Sequence, residues 1–128
     1  VQAVVHTHSV NATALACLGR ELPAFHYMVA VAGGDSVPCT PYQTFGSEAL
    51  SQAVAQALGE RNACLLAHHG LVAAGATLVQ AMKIAIEIEA LCEIYLKLLA
   101  VAEPARLSPT QMAEVLDKFR RYGRARRS

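Results

Sequence analysis

No apolar run in the sequence reaches the ~18 residues that a membrane-spanning helix needs, so no membrane partner is expected. The start carries no secretory signal pattern. Neither sign of charge dominates: 11 Lys and Arg against 10 Asp and Glu leave a formal net charge of +1, which gives the chain no overall bias toward nucleic acid or anionic lipid. The four cysteines (Cys17, Cys39, Cys64, Cys92) form no close pair. A disulfide-dependent scaffold is usually shorter and richer in cysteine, so these read as reduced, mostly buried thiols of a cytoplasmic protein. There is no internal repeat and no initiator methionine, and Val1 already falls in a strand-like stretch. The expectation is the C-terminal part of a longer protein.

What is present suits one domain with a real core: 128 residues, 54% hydrophobic. Strand-like and helix-like patterns alternate, which points to a mixed α/β fold. Alternation over residues 1–8 puts Val4, His6 and His8 on one strand face, with Val5 and Thr7 on the other. A short helix follows, capped by Ser9 or Asn11 and ended by Gly19. "PAFHYMVAVAGGDSVPCTPY" has no clean period and predicts irregular pieces with a strand near Ser36–Thr40. A helix from Ser47 to Leu58 closes at Gly59. "ACLLAHHGLVAAG" reads as two strands around a tight His68-His69-Gly70 region. Thr77 and Gln80 make a capping box that opens a helix to about Ala100. Its stripe of Leu78, Met82, Ala85, Ile88, Cys92, Tyr95 and Leu99 is widened by Ile84, Leu91 and Leu98, which predicts burial on several sides. Ser108, Pro109 and Gln111 open the last helix, and a basic tail follows Gly123.

The histidines carry the chemical signal. "VVHTHSV" sets His6 and His8 two apart on a strand, with Cβ atoms roughly 6–7 Å apart from the rise per residue. Two imidazoles so placed can reach one metal, each at about 2.0–2.1 Å. The same pattern also describes two solvent-facing histidines, or core rings satisfied by backbone carbonyls. The apolar flanks predict burial. His68 and His69 form a second cluster at a strand end, where site residues of α/β folds gather. Neighbouring strand residues face opposite ways, so at most one of the pair joins His6 and His8. Three neutral imidazoles around an open position are a catalytic-zinc arrangement. Gly70 would let the backbone bend there.

Tyr27 lies in an apolar segment. It reads either as a buried phenol that donates to a backbone carbonyl or as a proton carrier near a metal. Tyr122, in "RRYG", reads as a surface tyrosine. Six of the eleven Lys and Arg residues lie between Lys118 and Arg127. Aromatics interleave there only at Phe119 and Tyr122, so a solvated terminus is expected rather than a nucleic-acid site.

"AVVHTHSVNATALACLGRELPAFHYMVAVAGGDSVPCTPYQTFGSEAL", "LLAHHGLVAAG" and "VLDKFRRYG" together resemble the class II aldolase/adducin family over Val1 to about Gly123, with residues 124–128 left as tail. The resemblance implies a three-layer α/β fold with a largely antiparallel central sheet, here lacking its N-terminal part. It implies a cyclic homotetramer with active sites at subunit interfaces. It also implies one Zn²⁺ per subunit, held by His6, His8 and His69. Tyr27 would handle the proton on the aldehyde-derived oxygen, with Tyr122 as a second catalytic tyrosine, and Tyr122, Phe45 and Phe119 would lie near the aldehyde end of the substrate, the two phenylalanines binding it. The implied reaction is cleavage of a ketose 1-phosphate to dihydroxyacetone phosphate and a small aldehyde. Negative charge develops on the dihydroxyacetone phosphate half, and a divalent metal offsets it as a Lewis acid.

One departure stands out. The family's acid/base glutamate and its phosphate-binding loops precede the His-x-His strand, and this chain begins at that strand. The expectation is a chain that holds the metal half of a site and lacks the base. The same fold also serves sugar-phosphate epimerases, dehydratases and decarboxylases, and adducin-like assembly domains without chemistry. "HYM" and "PCTPYQTFG" favour the aldolase branch, and a scaffold has no use for three convergent histidines.

Overall fold

The computed structural model describes residues 3–127. Val1 and Gln2, assigned above to the first strand, and Ser128 of the basic tail lie outside the described residues. Strand β1 (Ala3–Thr7) leads through His8 and Ser9 into helix α1 (Val10–Cys17). A 3-10 helix over Tyr27–Ala32 and a two-residue strand β2 (Cys39–Thr40) follow. Then come α2 (Glu48–Ala57), β3 (Ala63–Leu66), β4 (Gly70–Gly75), α3 (Leu78–Leu99) and α4 (Pro109–Arg127). Helix α4 continues past Gly123, so the stretch read as a tail carries on the helix as far as Arg127.

The four strands are ordered β1-β4-β3-β2. β1 and β3 both flank β4 antiparallel, and β2 joins β3 parallel, so two of the three pairings are antiparallel. Registers such as Val5↔Ala73 and Leu65↔Leu71 put alternate residues on one face. There Ala63, Leu65, Leu71 and Ala73 join the main core with Leu15 of α1 and Ile84, Ile88 and Leu91 of α3. The opposite face carries Cys64, Leu66 and Val72, covered by Leu50, Val54 and Ala57 of α2 and by Leu58. Helices on both faces of the sheet give the three layers.

Helix ends follow the caps in the sequence. The Ser47 hydroxyl accepts from the Leu50 N–H (3.1 Å), that of Thr77 from Gln80 (3.1 Å) and that of Ser108 from Gln111 (3.1 Å). The Gln111 amide returns a bond to the Ser108 N–H, while that of Gln80 reaches one residue further, to Ala76. The expected stripe of α3 is buried at Ala85, Ile88, Cys92 and Tyr95, with Ala81, Ile84 and Leu91 beside it, whereas Leu78 and Met82 at its start are exposed. The apolar start of the stripe therefore faces outward within this chain. All four cysteines are free, and burial pushes the Cys64 and Cys92 thiols up to about 12, which keeps both protonated.

Candidate metal centre

Helix α2 covers only the β3 side of its sheet face. The β1 side of that face, with Val4, His6 and His8, stays open. The apolar flanks of "VVHTHSV" predicted burial. In the structure the burial belongs to the opposite face, where Val5 packs against the core, and Val4 is 56% exposed.

His6 lies opposite Val72, and its Nδ1 is 3.0 Å from the Leu71 carbonyl oxygen. A carbonyl only accepts, so Nδ1 carries the proton and Nε2 is left with its lone pair outward. This is the tautomer a metal needs at Nε2.

The third histidine arrives from the β3–β4 hairpin. His68 adopts φ +59°, the one non-glycine residue with positive φ among the described residues. That left-handed step, which histidine tolerates better than β-branched residues do, decides which of the pair faces the triad. His69 turns toward His6 and His8, and the His68 ring meets the edge of Tyr42 at 6.0 Å between centroids. Backbone bonds fix the turn: the His69 N–H donates to Leu66 O (2.9 Å) and the His68 N–H to Ala16 O of α1 (3.0 Å). Gly70 has a reason other than bending. A Cβ there would lie 2.4 Å from the Thr7 carbonyl oxygen and 3.1 Å from His8 Cδ2.

The three ring centroids are 4.9–5.0 Å apart, and one nitrogen from each ring lies within 4.8 Å of the others. A shared ion would need each of these nitrogens at about 2.0–2.1 Å. Burial lowers the pKa of His69, and the neighbouring His6 and His8 lower it further, which favours the neutral ligating form. Among the described residues this is the one cluster of three or more potential metal ligands, and it contains no carboxylate. A neutral three-nitrogen set suits zinc and leaves a coordination position for substrate.

The residues matching the class II aldolase and adducin N-terminal domain run from 1 to 96. This chain belongs to the class II aldolase and adducin family. Among curated relatives, the 5-methylthioribulose-1-phosphate/5-deoxyribulose-1-phosphate aldolase of Rhodospirillum rubrum is 53% identical over 96% of this chain and 56% of its own length. The L-fuculose phosphate aldolase of Escherichia coli K12 is 51% identical over 94% of this chain and 57% of its own length. The chain thus spans a little over half of these relatives. A solved L-fuculose 1-phosphate aldolase superposes with a TM-score of 0.88 at 39% identity, covering 91% of this chain and 55% of that one. The relatives named here are aldolases, and the class II family is metal-dependent.

The other residues singled out in this family member are placed by their own segments of the chain. Tyr27 opens the 3-10 helix, half-exposed, with its ring stacked on His26 (5.0 Å, 22°). It is not the buried phenol that its apolar context suggested. His26 caps that helix by accepting the Met28 N–H at Nδ1 (3.1 Å), which turns the next side chain outward while Val29, Ala30 and Ala32 face the core. Phe45 and Tyr122 are exposed, and Phe119 is half-buried against the main core. Sequence reading missed Glu89, whose carboxylate bonds the start of α1, and Tyr42, the partner of His68. "PYQTFG" carried Tyr42 openly, but nothing local linked it to the hairpin.

Proposed function

We propose that this chain is the metal-holding part of a zinc-dependent aldolase that cleaves a ketose 1-phosphate, L-fuculose 1-phosphate-like, to dihydroxyacetone phosphate and a small aldehyde. The observation that carries the reading is the convergence of His6, His8 and His69 with ring centroids 4.9–5.0 Å apart. A bound Zn²⁺ supplies Lewis-acid stabilisation of the charge that develops on the dihydroxyacetone phosphate half.

The protein's own groups do the rest. His6 is held by the Leu71 carbonyl with its free nitrogen outward. Tyr27 exchanges the proton on the aldehyde-derived oxygen, a task its phenol hydroxyl can perform as a donor and acceptor. Its half-exposed ring is free to reach a neighbouring subunit's site. Phe45, Phe119 and Tyr122 flank the aldehyde end. The working form is a cytoplasmic homotetramer with its sites at subunit interfaces. Exposed Val79, Met82 and Ile86 on α3 support an assembled state, and the four free thiols support a reducing compartment.

The test is a cleavage assay on a form as long as the relatives, offered L-fuculose 1-phosphate and 5-deoxyribulose 1-phosphate. Release of dihydroxyacetone phosphate, abolished by a chelator and restored by Zn²⁺, is the expected result. Zinc-loaded protein that epimerises or decarboxylates such sugars, or leaves them intact, overturns the reading.

A further inference from the structure

Helix α1 joins the two halves of the histidine cluster. Its N-terminus follows His8 after the single residue Ser9, and its Ala16 carbonyl accepts the backbone N–H of His68 (3.0 Å). A shift of this helix therefore moves both the strand end that carries His8 and the turn that carries His69.

The helix is capped in an unusual way. Ser9 occupies the cap position with extended backbone, yet its side chain makes no capping hydrogen bond. The free N–H groups of the first turn are met instead by Glu89 of α3, a residue far away in sequence. Glu89 Oε2 accepts from the Asn11 N–H (3.0 Å) and from Asn11 Nδ2 (2.9 Å), and Oε1 accepts from the Ala12 N–H (2.7 Å). Both carboxylate oxygens are thus committed to one helix end, and the negative charge sits at the positive end of the helix dipole. Charge-assisted bonds of this kind are short and directional, so they fix position as well as energy.

We propose that Glu89 is a positioning residue for the metal centre: it locks α1, and through α1 it sets His8 and the His68–His69 turn in register for one ion. The inference rests on the zinc reading of the triad. Ordinary packing of α3 would not need a carboxylate here, and a capping serine already stands at Ser9 whose hydroxyl does not bond the helix N–H groups.

The experiment measures Zn²⁺ affinity by chelator competition and the visible absorption of Co²⁺-substituted protein. It compares wild type, Glu89→Gln and Glu89→Ala, each checked by circular dichroism. Met112→Ala, a change at a buried position of α4, is the control for loss of stability alone. Glu89→Ala is expected to weaken Zn²⁺ binding by about 10–100-fold, the range for partners that orient metal ligands, and to change the Co²⁺ spectrum. Glu89→Gln, which keeps one carbonyl acceptor, falls between it and wild type, and Met112→Ala binds as wild type does. If Glu89→Ala does not fold, Glu89→Gln decides. Wild-type binding with unaltered affinity and spectrum in the folded Glu89 variants overturns the proposal and leaves the zinc reading standing. A wild type that binds no zinc overturns both.

Discussion

At the tip of the β3–β4 hairpin, two neighbouring residues share the placing of His69. His68 takes the left-handed step, and Gly70 lets β4 start against the Thr7 carbonyl. Gly70→Ala puts a methyl 2.4 Å from that oxygen and against the His8 ring, where only backbone or a metal-site imidazole can yield. We expect it to cost about 2 kcal/mol or more in urea denaturation and to weaken zinc binding in the same variant. Tyr27→Phe is the opposite kind of change, since it removes one hydroxyl from an exposed ring. In a form as long as the relatives it should leave zinc content and fold intact and lower aldol cleavage by roughly 10²–10⁴-fold. Unchanged turnover would withdraw Tyr27 from the chemistry. The same-face pairing of His6 and His8 was legible because a strand's period of two fixes it from spacing alone. Strand period leaves the choice between His68 and His69 open because it turns on one backbone angle, and only the family resemblance of "LLAHHGLVAAG" pointed to His69.

Among the elements, α1 shows what local reading leaves out. Its bounds were legible from Ser9 and Gly19, but its working cap comes from Glu89, 78 positions from Asn11. Caps made within four residues, at Ser47, Thr77 and Ser108, are written in the sequence, while a tertiary cap is not. The stripe of α3 was legible through Ala85, Ile88, Cys92 and Tyr95, but periodicity does not say how far toward the helix start the cover extends, and Leu78 and Met82 stand exposed. The Glu89 cap has a pH signature. Burial raises the Glu89 pKa, but the hydrogen bonds from the Asn11 and Ala12 N–H groups and from the Ser9 and Asn11 side chains together outweigh it, so the folded-state value lies below the ordinary one. A carboxylate with a lowered folded pKa stabilises fully above its unfolded value and loses that contribution as pH falls through the folded one. Glu89→Gln should therefore be less stable than wild type at pH 7. The gap should shrink as pH drops below the ordinary glutamate range near 4.3. Urea midpoints of the pair, measured across that range, check this. A gap independent of pH contradicts it.

For the whole molecule, the sheet and its two helical layers leave apolar surface uncovered. Val79 (65% exposed), Ile86 (62%) and Val4 (56%) stand in the open, and among the described residues β1 is an edge strand with one side unpaired. Light scattering should find the 128-residue chain associated, and Ile86→Lys should shift it toward lower mass. A stable, well-behaved monomer of the unaltered chain would contradict this.

The central claim is that three imidazoles, two from the end of β1 and the residue after it and one from the β3–β4 turn, hold a zinc ion. Elemental analysis tests it directly, on protein kept from chelators, supplied with zinc at neutral pH, and compared with His6→Ala, His8→Ala and His69→Ala. The account predicts one zinc per chain in the unaltered protein and a loss of most of it in each variant, with unchanged circular dichroism. Absence of zinc from the unaltered protein, or full retention of it in all three variants, would contradict the account.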